Sequence, residues 1–94
     1  MKDLKGWDKF IHNCQKMDSC AELIQFFELT LTPAEREKIA ARYLILAELI
    51  HGAKTQREIA ATLGVSIFNV TRGANQLKQI ERTSQELIHA QALE

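Results

Sequence analysis

Little in this chain can bend or stop a helix: one proline and four glycines in 94 residues leave long stretches of good helix formers uninterrupted. No run alternates apolar and polar residues as a half-buried strand would, so the expected fold is all-α, without a sheet. No apolar stretch is long enough to cross a bilayer and no signal peptide opens the chain, which predicts a cytoplasmic protein with no membrane partner. Cys14 and Cys20 are accordingly expected as reduced thiols. His12, His51 and His89 lie scattered, with no cysteine or carboxylate at ligand spacing, and no metal is expected. No Ser, Cys or carboxylate pair stands in a catalytic setting and the glycines form no phosphate-cradling loop, which argues against an enzyme. An excess of either charge is missing too: 12 basic and 12 acidic side chains cancel, unlike a protein that coats nucleic acid indiscriminately.

What the chain does have is a succession of about six helical patterns. Two apolar-striped segments come first, Leu4 to Lys16 with Trp7, Phe10, Ile11 and Cys14, and Cys20 to Glu28 with Leu23, Ile24, Phe26 and Phe27. Ser19 is the expected cap of the second, Glu22 completes a capping box, and the aromatic rings are expected in the core. Thr32, Pro33 and Glu35 then open a long helix that carries Ile39, Tyr43, Leu46 and Ile50 at helical spacing, reaches about His51 and stops at Gly52. A last helix is expected from Arg82 to Leu93. We read 1–94 as a single domain, with dimerisation helices in 1–31, a long core helix in 32–52, a DNA-binding unit in 55–78 and a carboxy-terminal helix in 81–94. The apolar surface of the two amino-terminal helices and the last one exceeds what a monomer of this length readily hides, so an interlocked homodimer is expected.

The most informative stretch is QREIAATLGVSIFNVTRGANQLK, Gln56 to Lys78. Thr55 and Glu58 form a capping box for a short helix over Gln56 to Leu63, Gly64 supplies a turn, and Ser66 caps a second helix. Ile59, Leu63, Val65 and Val70 are placed to join the two, and Ala60 and Ala61 allow a close crossing, so the segment reads as a helix-turn-helix. Between Ala53 and Ile80, Lys54, Arg57, Arg72 and Lys78 stand against Glu58, a local charge of +3 that leaves −3 on the remainder. Recognition helices address base edges from their first turns. Ile67, Phe68, Asn69 and Thr71 occupy those turns here; Asn69 and Thr71 can hydrogen-bond bases, and Ile67 and Phe68 suit thymine methyls. The rival reading is a helical protein-interaction module, with Ile67 and Phe68 as the contact patch.

The segments LTPAEREKIAARYLILAELIHG and TQREIAATLGVSIFNVTRGANQLK together resemble the tryptophan repressor family of bacteria, over Leu29 to Lys78. The likeness is carried by LTP-x-ER-E at the head of the long helix, QRE on the first short helix and TRG-x-N-x-LK on the recognition helix. It implies an intertwined all-helical homodimer that binds double-stranded operator DNA when L-tryptophan, the corepressor, occupies a pocket beside each helix-turn-helix. On this likeness Arg42 and Arg72 sandwich the indole, a contact that guanidinium planes favour, and Arg72 also takes the carboxylate. Gly73 leaves room for the ring, Thr32 donates to the carboxylate, and the carbonyls of Leu29 and Leu31 accept from the ammonium. Gln76 departs from the small hydroxyl residue common in the family and raises the alternative of a same-fold regulator answering another indole, or none. Gln56 and Arg57 match phosphate-contacting positions, Lys54 and Lys78 add charge, and Ala60 replaces a common basic residue. Phe68 and Asn69 replace smaller residues at the helix tip, so the operator differs. The family's water-mediated readout leaves that operator's sequence open.

Overall fold

The computed structural model describes residues 5–88. Among these it is entirely helical, with α1 (Lys5–Gln15), α2 (Cys20–Thr30), α3 (Pro33–His51), α4 (Gln56–Leu63), α5 (Ile67–Lys78) and α6 (Arg82–Gln85). Contacts divide the chain into two units, Met1–Arg36 and Glu37–Glu94. No helix is long and apolar enough to cross a membrane among the described residues. Cys14 and Cys20 are free thiols.

In the first unit α1 and α2 join through their aromatic rings. Phe10 stacks on Trp7 at 5.5 Å and on Phe26 at 5.3 Å, and Phe27 lies 6.0 Å from Phe10. The expected aromatic core is only partly formed within one chain: the three rings of Phe10, Phe26 and Phe27 are half-buried, whereas Trp7 is 59% exposed. Two short helices packed on each other bury only the one face that each offers its neighbour. Ser19 caps α2 by accepting from the Glu22 N–H, but the expected box is offset, because Glu22 accepts from the Asp18 N–H at 2.8 Å. α2 also runs two residues past Glu28. The Thr30 hydroxyl donates to the Phe26 carbonyl, and the chain leaves the helix only at Leu31, ahead of the Thr32-Pro33 pair that disfavours helix. The box that starts α3 is complete: Thr32 N–H donates to Glu35 at 2.8 Å, and Glu35 N–H to the Thr32 hydroxyl at 3.2 Å.

α3 has 19 residues and spans about 28 Å. Its buried side chains are Ile45, Ala47 and Glu48, not the stripe drawn from periodicity; Ile39 and Tyr43 of that stripe are 55% and 38% exposed. From Tyr43 to Ile50 the helix is apolar on most of its circumference, so spacing could not single out one face. The second unit packs around Ile45, Ile59 and Val70, with Leu49, Ala60, Leu63 and Val65 against them. Of the two alanines expected to ease the crossing, Ala60 packs on this core while Ala61 faces solvent. The last helix is a single turn, Arg82–Gln85, followed by turns to Ile88, which shortens the expected segment; Leu93 lies outside the described residues. Glu81 provides no side-chain cap for it, and the Gln85 amide instead donates to the Leu77 carbonyl at 3.0 Å, closing the end of α5.

Candidate functional site

The segment Thr55 to Lys78 folds into the helix pair its capping residues predict. Thr55 and Glu58 exchange both capping bonds, the Thr55 N–H to Glu58 at 2.8 Å and the Glu58 N–H to the Thr55 hydroxyl at 3.1 Å. The bond from the Thr55 backbone, then that from its hydroxyl and the charge of Lys54, outweigh burial and hold the Glu58 carboxyl below the usual carboxylate range. Gly64 ends α4 in the left-handed region at φ 66°, and its N–H and that of Val65 both turn back to the Ala60 carbonyl. Ser66 then accepts from the Asn69 N–H at 3.2 Å and starts α5. The heads of the two helices are also tied through side chains, since the Thr71 hydroxyl donates to Gln56 Oε1 at 2.9 Å. That bond spends the hydroxyl proton of Thr71 and uses the Gln56 oxygen, so the NH₂ of this exposed side chain keeps its two donors.

α5 closes on α3 at Gly73. A Cβ there would stand 3.0 Å from Ile45 Cγ2, 3.4 Å from Leu49 Cδ1 and 3.6 Å from Leu46 Cδ2. The missing side chain therefore lets the two helices approach each other closely. Beside this contact lies a cleft of about 310 Å³, lined by Lys38, Ala41, Arg42 and Ile45 of α3 and Asn69, Arg72, Gly73 and Gln76 of α5. Ala41, Ile45 and Gly73 form an apolar floor, while Lys38, Arg42 and Arg72 bring three cations, and among the described residues no carboxylate lines the space. The cleft is thus suited to an anionic group on a flat apolar body.

Four of the seven residues assigned to a ligand, Arg42, Arg72, Gly73 and Gln76, converge on this cleft. Leu29, Leu31 and Thr32 belong to the first unit: Leu29 is 86% exposed, Leu31 ends α2, and Thr32 caps α3. Lys38, Ala41, Ile45 and Asn69 were not foreseen in the cleft, although residues 38, 41, 42 and 45, like 69, 72, 73 and 76, share one helical face by spacing. Phe68 is 78% exposed and Ile67 41%; Arg57 and Lys78 are exposed as well, and so is Asn69, which also lines the cleft. Lys54 stands apart from these: its ammonium lies 3.2 and 3.1 Å from the two carboxylate oxygens of Glu48, whose side chain is 8% exposed.

Capped α4, the glycine corner and α5 seated on α3 define the class: an all-helical protein carrying a helix-turn-helix unit with a cationic cleft at its back. The family model described as "Trp repressor protein" matches residues 5–92. A Trp operon repressor homolog of Chlamydia caviae is 43% identical over 83 residues, covering 88% of this chain and 82% of that protein. One from Chlamydia trachomatis serovar D is 42% identical over 88% of both chains, and one from Vibrio campbellii 33% over 89% of this chain and 84% of its own. The chain belongs to the Trp repressor family, a family of regulators and not of enzymes.

Proposed function

We propose that this chain is a tryptophan-dependent transcriptional repressor, which binds operator DNA as a homodimer with L-tryptophan in the cleft between α3 and α5. The observation that carries the reading is the convergence of Arg42 and Arg72 on one cleft of about 310 Å³ floored by Ile45 and Gly73. Its size is at the small end for ligand pockets, as a single bicyclic amino acid requires. The indole lies between the guanidinium planes, the carboxylate meets Arg72, and the Gln76 carbonyl accepts from the ammonium. Leu29, Leu31 and Thr32 join the ligand set on the strength of the family likeness alone.

Tryptophan held between α3 and α5 fixes the tilt of the recognition helix, so that two copies address both halves of a two-fold site. Ile67, Phe68, Asn69 and Thr71 address the groove, with Thr71 offering its methyl and lone pairs, while Gln56, Arg57 and Lys78 meet phosphates. The homodimer places the half-exposed rings of α1 and α2 in a shared interior, making one domain of 1–94 from two chains, in the cytoplasm. By linkage, DNA tightens tryptophan binding by the factor by which tryptophan tightens DNA binding. A mobility-shift titration of genomic fragments with and without L-tryptophan tests the reading: retardation is expected only with the amino acid, and equal affinity in both conditions would defeat it. A second reading, that the cleft answers another indole acid, draws on Gln76 and on Lys38 as a third cation at its rim.

A further inference from the structure

Glu48 is the one charged side chain buried among the described residues. It lies on the last turns of α3, where its own carbonyl accepts from the Gly52 N–H at 3.0 Å. Its carboxylate meets Lys54, two residues past that glycine and next to Thr55, the cap of α4. Backbone and side chain of one residue therefore hold both ends of the connection from α3 to α4. A carboxylate 8% exposed cannot lose its counter-ion cheaply, so an ammonium that left to meet a phosphate would strand a buried charge. Gln56, two residues on, is bonded to Thr71, so displacing the head of α4 pulls on α5 as well.

We propose that Lys54 is a positioning residue: by clasping Glu48 it sets the head of α4, with Gln56 and Arg57, against α3, and it makes no phosphate contact of its own. The inference rests on the reading of α4 and α5 as the DNA-binding unit, but the clasp itself can be tested without DNA. The probe is a duplex selected from random sequence by the unsubstituted protein in L-tryptophan. Lys54→Met is expected to speed amide exchange at Glu58 and Ile59 and to weaken duplex binding about 10-fold, leaving the slope of log K on log[salt] unchanged. Lys54→Arg, which can still pair with Glu48, restores both. The double variant Glu48→Gln/Lys54→Met leaves no lone buried charge and regains thermal stability, yet its duplex affinity stays low. A slope reduced by about one in Lys54→Met, with Glu48→Gln binding normally, would make Lys54 a phosphate contact and overturn the proposal. So would duplex affinity that recovers in step with stability in the double variant. If no duplex is selected, the DNA reading fails by itself, and unchanged exchange at Glu58 and Ile59 in Lys54→Met would then refute the clasp.

Discussion

Replacing Gly73 by alanine opposes two effects of similar size. In an exposed helix the change stabilises by about 1 kcal/mol, because glycine loses more backbone freedom on folding. Here the new methyl arrives 3.0 Å from Ile45 Cγ2 and 3.4 Å from Leu49 Cδ1, closer than comfortable carbon contacts of about 3.5–4.0 Å. Relief requires a neighbour to yield by a few tenths of an ångström. Ile45 is 4% exposed, packs against Ile59 and Val70, and as a β-branched residue in a helix has one strongly preferred rotamer, so it cannot swing aside. Overpacking of such a site costs about 1–3 kcal/mol, which exceeds the helix gain and leaves a net loss of about 1 kcal/mol.

Urea denaturation of Gly73→Ala is therefore expected to show a lower midpoint at unchanged m, with a fall in Tm of about 4–8 °C. Ile45→Ala opens the space the methyl needs, so Gly73→Ala should be neutral or stabilising in that background, with a coupling of about 1 kcal/mol in the double-mutant cycle. Because the same contact seats α5 beside the cleft, the single variant should also bind L-tryptophan more weakly by calorimetry. Stabilisation by about 1 kcal/mol in the wild-type background, with no coupling to Ile45, would refute the argument that this glycine serves close approach.

Glu58 has a folded pKa depressed by its bonds to Thr55, so its contribution is fully present above the ordinary carboxylate value and is lost as pH falls through the folded value. Glu58→Gln keeps an acceptor for the Thr55 N–H but not the charge; its stability deficit should shrink as pH drops through the acid range, and denaturation curves running parallel at all pH would contradict this. Arg72→Lys retains the cation and loses the plane, and about a tenfold weaker calorimetric affinity for L-tryptophan is expected; unchanged affinity would remove stacking from the account. Arg57→Ala should weaken all duplexes alike and reduce the salt slope by about one, whereas Phe68→Ala should change which sequences are selected and leave the slope intact. Reversed results from salt titration and sequence selection would exchange the two roles.

The parts legible in the sequence are those governed by residues three or four apart. Capping boxes at Thr32 and Thr55, the Ser66 cap and the glycine stops each join near neighbours, and all appear in the structure. Partner choice was not legible where a group has several chemically adequate partners, whether near or far along the chain. Glu22 bonds the N–H of Asp18 where that of Ser19 was equally plausible. Lys54 had phosphate as one candidate, and only the fold brings it to a carboxylate six residues back that burial has deprived of water. Gly73 shows the same limit: nothing in the chain alone points to Ile45, 28 positions earlier, as the side chain that its missing Cβ accommodates. The cleft is the sum of such decisions. Its cations recur at helical spacing and could be listed from the sequence, but their meeting depends on how closely α5 seats on α3, which a single methyl at position 73 would alter.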